Sequence, residues 1–131
     1  MEENTRSTPQ GAADKDKEQD FIEDYANSAI FEAGPWDLKI VFGQLDQRSG
    51  APDTDWHTAI TIPWPYAKVL SYYLQLNIVA YEAQNGKIAV PEFALPPEPP
   101  PLTEEAQRHP KMKAVYDAVL DARKVLLSQL K

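Results

Sequence analysis

A chain of 131 residues has the length of one domain and can bury a sizeable core. Thirteen basic against twenty acidic residues leave a net charge of −7, which argues against non-specific nucleic-acid binding and against an anionic membrane surface. The absence of cysteine removes disulfides, thiolate metal sites and cysteine nucleophiles from consideration.

Residues 1–20 are polar, charged and free of aromatic side chains. Such a segment buries too little apolar surface to offset its ordering entropy, so a disordered tail is expected. Its charges are mixed and form no motif, which favours a solubilising arm over a recognition segment. The stretch has no apolar signal region and nothing in the chain reaches transmembrane length, so a soluble, cytoplasmic protein is expected, with no membrane partner.

The character changes at Phe21. Phe21, Ile22 and Tyr25 can begin a strand, and SAIFEA at 28–33 reads as a short strand with Ile30 and Phe31 as its bulk. Gly34-Pro35 is a turn or bulge signal. In the following WDLKIVFGQLD, Trp36, Leu38, Ile40 and Phe42 alternate with Asp37, Lys39, Val41 and Gly43. That period of two marks an antiparallel strand with one buried face. A polar loop covers 46–55, and Trp56 to Ile62 forms the next strand, with Ile60 and Ile62 on one side. Pro63 ends its hydrogen bonding.

A long helix follows. Pro65 suits its first turn, and Gly86 after Asn85 suits a left-handed C-terminal cap. Ala67, Leu70, Leu74, Ile78 and Tyr81 form one apolar face, and Val69, Tyr73, Leu76 and Ala80 form a second stripe beside it. A helix apolar on most sides is an enclosed one, so it needs two apolar neighbours, and its own sheet supplies only one.

Beyond Gly86, KIAVPEFAL is expected to form a short edge strand, because Pro91 lacks a donor and would be awkward in a central one. PPEPPPL at 96–102 is a stiff polyproline spacer. Thr103 with Glu104 and Glu105 marks a helix start, which Pro110 breaks and restarts. Met112, Val115, Tyr116, Val119, Leu120, Leu126, Leu127 and Leu130 then keep helical spacing, and the stiff tether favours docking of this helix on a neighbouring subunit or another protein.

Candidate chemistry is sparse. His57 lies on a strand and His109 precedes a proline; each reads better as a solvated or hydrogen-bonded histidine than as a catalytic one. Asp46, Asp53 and Asp55 share a loop, but the spacing lacks the glycine and distal glutamate of a calcium site. No phosphate loop or dinucleotide fingerprint occurs. Trp36, Trp56, Trp64, Tyr66, Tyr72 and Tyr73 cluster at the strand–helix corner and read as core or interface before ligand cage.

YANSAIFEAGPWDLKIVFGQLD and the later AKVLSYYLQLNIVAYEAQNGKI resemble a widespread family of small bacterial proteins catalogued as a domain of unknown function, DUF3467. The features that match are Tyr25-x-Asn27, the alternating strand, the Ala67-Lys68-x-Leu70 helix opening and the Tyr81-Glu82-x-x-x-Gly86 exit, over about residues 22–90. This resemblance implies a fold and carries no activity. A second set, AIFEAGP, Pro65-Tyr66-Ala67 and GKIAVPEFALPP, is similar to the export chaperone SecB. That likeness implies a four-stranded antiparallel sheet with helices on one face, a tetramer, and apolar grooves for unfolded clients. The chain departs from it by one strand fewer before the corner and by the proline-rich insertion, and fold analogy alone assigns no function.

The expected fold is α+β: an antiparallel sheet of three to four strands packed on one long helix, followed by an amphipathic helix on a proline-rich tether. The expected divisions are a tail (1–20), a sheet-plus-helix domain (21–95), a linker (96–102) and a C-terminal helix (103–131). The expected function is a non-enzymatic interaction or assembly module without cofactor, metal or nucleic acid, acting as a homo-oligomer. Interface candidates are Val69, Tyr73, Leu76, Met112, Val115, Val119, Leu126 and Leu130. A SecB-like holdase and a small ligand-binding protein or enzyme built on the aromatic corner are the alternatives.

Overall fold

The structure is a computed structural model that describes residues 20–46 and 53–131. The expected tail, apart from Asp20, and the middle of the polar loop lie outside the described residues. Three strands form one antiparallel sheet in the order β1-β2-β3, with β1 at Ser28–Ala33, β2 at Asp37–Asp46 and β3 at Asp53–Pro63. Among the described residues the helices are α1 at Trp64–Asn85, the single turn α2 at Glu104–Gln107, and α3 at Pro110–Gln129; a 3-10 turn occupies Glu92–Ala94. The α+β class is as expected, with three strands. The chain divides into two units, Met1–Val69 and Leu70–Lys131, and the division falls within the continuous helix α1.

In the first unit, the β2 alternation does what its period dictates. Leu38, Ile40 and Phe42 face Ala33, Phe31 and Ala29 across β1, and Ile62, Ile60 and Thr58 across β3. Residues directly opposite in an antiparallel pair share a face, so these nine make one largely apolar surface. The other face carries Val41 between Ile30 and Ala59, and Lys39 beside Glu32 at 3.7 Å. Ile40, at the centre of the apolar face, is the only buried hydrophobic side chain among the described residues. Its cross-strand neighbours Phe31 and Ile60 are 64% and 49% exposed.

Three expectations need correction here. Trp36 does not join the alternating face; it sits in the β1–β2 turn, closed by Gly34 N–H donating to the Asp37 carbonyl at 2.8 Å, and is 82% exposed. Phe21, Ile22 and Tyr25 precede the sheet without forming a strand. The stretch after Gly86 adds no fourth strand: the Ile88 N–H donates to the Glu82 carboxylate at 3.0 Å and Pro91 has no donor, so no regular ladder is available. β3, in turn, begins at Asp53, three residues earlier than the apolar pattern indicates, because the Asp53–Asp55 backbone continues the ladder opposite Gln44–Asp46.

Helix α1 starts where the Trp64 indole N–H donates to the Gly34 carbonyl at 2.8 Å, tying the helix to the first turn. It ends at Gly86, whose φ of 87° and N–H bond to the Glu82 carbonyl at 2.9 Å make the expected glycine cap. None of its 22 residues is buried. No helix among the described residues is long and apolar enough to cross a membrane.

In the second unit, Thr103 caps α2 by accepting the Ala106 N–H at 3.1 Å, and Pro110 opens α3. The proline tether turns back along α3 and does not hold it at a distance. Arg123 Nε donates to the Pro96 carbonyl at 3.1 Å, and Lys87 Nζ donates to the Gln129 carbonyl at 3.1 Å. These two bonds tie α3 to preceding segments of its own chain.

Ile40→Ala is expected to cost about 2–4 kcal/mol in chemical denaturation, the range for truncating a buried aliphatic side chain. Val41→Ala should cost distinctly less, and equal losses would show that both sheet faces are covered in the native particle.

Candidate interaction surface

Two features of the chain organise side chains in ways that bear on function: a polar clasp at one end of the sheet and the apolar stripes of the two long helices.

The clasp originates in a β-bulge. Phe42 pairs with Thr58 but Gly43 pairs with Trp56, so His57 is the extra residue of β3 and has no partner on β2. Gly43 is required at this place. A Cβ there would stand 2.7 Å from the Trp56 ring and 2.8 Å from the Asp55 carbonyl oxygen, both too close for any side chain. The segment before β1 anchors on the same spot: Asn27 N–H donates to the Gly43 carbonyl at 3.0 Å, and Asn27 Oδ1 accepts the Leu45 N–H at 2.7 Å.

Freed from the ladder, His57 reaches that segment. Its Nε2 lies 3.0 Å from the Tyr25 carbonyl, and its Nδ1 lies 3.0 Å from Asp24 Oδ2 and 2.8 Å from Thr58 Oγ1. Because a carbonyl can only accept, Nε2 carries a proton. Nδ1 then accepts from the Thr58 hydroxyl when the ring is neutral, or donates to Asp24 when it is charged. Asp, His and Thr in contact invite comparison with a hydrolytic triad, which needs the carboxylate and the nucleophile on opposite ring nitrogens. Here Asp24 and Thr58 crowd the same nitrogen, and the other is occupied by the backbone. The constellation holds the lead-in segment across the sheet and is not arranged as a charge relay. Sequence reasoning placed His57 as a hydrogen-bonded residue but missed Asp24; the Tyr25-x-Asn27 motif was the available pointer to a fixed segment here.

Asp46 and Asp53 face one another at the end of the β2–β3 ladder, with Asp55 opposite Gln44. Among the described residues no group of three or more His, Cys, Asp or Glu side chains is arranged to hold a metal ion. The tryptophans of the corner have separate tasks: Trp56 lies over Gly43, Trp64 holds the first turn, and Trp36 projects outward.

The interface candidates divide into two groups. Val69, Tyr73 and Leu76 on α1 are 47%, 52% and 47% exposed, and the Tyr73 ring is braced edge-on by Tyr72 at 5.1 Å between centroids. Met112, Val115 and Val119 on α3 are likewise exposed. They line an apolar groove of about 450 Å³ with Pro99, Leu102 and Tyr116. Leu126 and Leu130 are half-buried instead, in a cleft of about 350 Å³ shared with Ile78, Val79, Ile88 and Val90. These last two are thus partly used within the chain.

His57→Ala removes the bridge between β3 and the lead-in segment. We expect faster hydrogen exchange at the Leu45 and Asn27 amides and a stability loss of about 1 kcal/mol, with the remaining strand amides unchanged. Gly43→Ala should cost more, about 1–3 kcal/mol, because the backbone or Trp56 must move.

No curated protein and no solved structure matches the chain, so the likeness to the export chaperone rests on the sequence fragments alone. Residues 1–90 match the family described as "Protein of unknown function (DUF3467)". The match takes in the whole sheet, the bulge at Gly43, the clasp residues and all of α1, and it stops short of the proline tether. It spans well over half of the chain, and the protein is a member of the DUF3467 family.

Proposed function

We propose that this protein is a non-enzymatic assembly module that works as a homo-oligomer, with α1 as its principal association surface. One observation carries the reading: α1 bears Tyr66, Val69, Tyr73, Leu76 and several further large apolar side chains, and buries none of them within the chain. An apolar surface of that extent is uncommon on a soluble monomer and marks a contact site. The uncovered sheet face around Ile40 supports the same reading, since Phe31 and Ile60 would gain cover from an associated chain. No charged residue other than Lys68 and Glu82 interrupts the helix, so little charge need be desolvated when it associates.

A second reading, a holdase for apolar segments of other proteins, is favoured by the groove between the proline segment and α3, whose lining apart from Lys111 is apolar. Suppression of client aggregation that persists when α1 association is blocked would raise this reading above the first.

Sedimentation velocity of the intact chain at micromolar concentration is expected to give a multiple of 14.7 kDa. Tyr73→Asp, which places a charge in the middle of the exposed stripe, should shift the particle toward monomer while leaving the far-ultraviolet dichroism unchanged. A monomeric wild-type protein would overturn the proposal.

A further inference from the structure

The stripe on α1 is longer and more regular than four residues. Tyr66, Val69, Tyr73, Leu76, Ala80 and Ala83 follow one another at alternating steps of three and four, the a/d spacing of a coiled-coil seam, and all six are exposed. None of the six seam residues lines the cleft with Leu126 and Leu130, to which α1 contributes Gln75, Ile78, Val79 and Glu82.

Bulk is distributed unevenly along this seam. Large side chains occupy its N-terminal two-thirds, and alanines close its C-terminal end. Two copies aligned in parallel would set Tyr66 against Tyr66 and alanine against alanine, crowding one end and leaving a void at the other. Aligned antiparallel, every layer pairs a larger residue with a complementary one: Tyr66 meets Ala83, Val69 meets Ala80, and Tyr73 meets Leu76. Those are the a-to-d layers that an antiparallel pair requires, and a two-fold axis generates each of them twice. The helix dipoles favour the same direction, since they oppose one another in an antiparallel pair. Area is sufficient as well. The half-exposed seam and its flanking residues offer on the order of 500 Å² per helix, or about 1,000 Å² for the pair, where specific interfaces begin.

We infer that a second copy of this chain docks antiparallel along α1, in the register that places Val69 of one copy opposite Ala80 of the other. This rests on the assembly reading and adds the surface, direction and register. The chain contains no cysteine, so single introduced thiols report the arrangement directly. Val69→Cys and Ala80→Cys variants, one carrying a mass tag, are mixed, equilibrated and oxidised. The mixed disulfide is expected to exceed either self-disulfide by about tenfold, since a disulfide spans at most ~7 Å between α-carbons. Two Val69 positions would lie about 16 Å apart along the seam at 1.5 Å per residue. A Tyr66→Cys and Ala83→Cys pair, in which like positions lie farther apart still, should give the same pattern from the end layers. Dominant Val69→Cys self-disulfides would mean a parallel pair and overturn the inference. No disulfide from either pair, with the native mass still a multiple of the chain, would place association on another surface and overturn the inference alone. A monomeric mass would overturn the assembly reading with it.

Discussion

A helix of 22 residues that carries large apolar side chains on several faces, yet buries none of them, imposes the main physical constraint on this protein. Fully burying a Val, Leu or aromatic side chain contributes about 1.5–3 kcal/mol relative to leaving it in water. Half-exposed residues such as Val69, Tyr73 and Leu76 forgo much of that in the isolated chain. An isolated helix of this length gains little from propensity alone, so its stability has to come from surfaces that pack against it. The shortage extends to the sheet, where Ile40 is the one hydrophobic side chain buried among the described residues, while Phe31 and Ile60 beside it stay open.

The polar features serve a different end from the apolar ones. The bulge at His57 and the glycine at position 43 place a histidine where it bonds the Tyr25 carbonyl and the Asp24 carboxylate, and Asn27 closes the same junction onto Leu45. These three short contacts fix the path of the chain into β1. At the opposite end of the sheet, the Trp64 indole performs a comparable task by bonding the first turn. The sheet is held at its ends by hydrogen bonds, and its middle is left as an apolar surface.

Much of this was legible in the residues. Period-two alternation at Leu38, Ile40 and Phe42 defined β2, Pro65 and Gly86 bounded α1, and Thr103 and Pro110 marked the later helices. The start of β3 was not legible, because Asp53, Thr54 and Asp55 have weak strand character and extend the ladder only through their backbone. The fourth strand was misread for the converse reason: Ile88, Ala89 and Val90 look like strand residues, but the Glu82 carboxylate takes the Ile88 amide. The bulge depends on a two-against-one pairing that no single-strand pattern encodes. For the candidate surface, the stripe Val69–Tyr73–Leu76 was readable from spacing. The splitting of the α3 candidates was not, since Leu126 and Leu130 are claimed by side chains distant in sequence.

The central claim is that α1 is covered by other copies of the chain in the native particle. Hydrogen exchange of the α1 amides, measured across a concentration series of the intact protein, tests it most directly. Cover by association stabilises the folded state by mass action, so protection from Tyr66 to Ala83 should rise with protein concentration and fall on dilution. Exchange in α1 that is fast and independent of concentration would contradict the account.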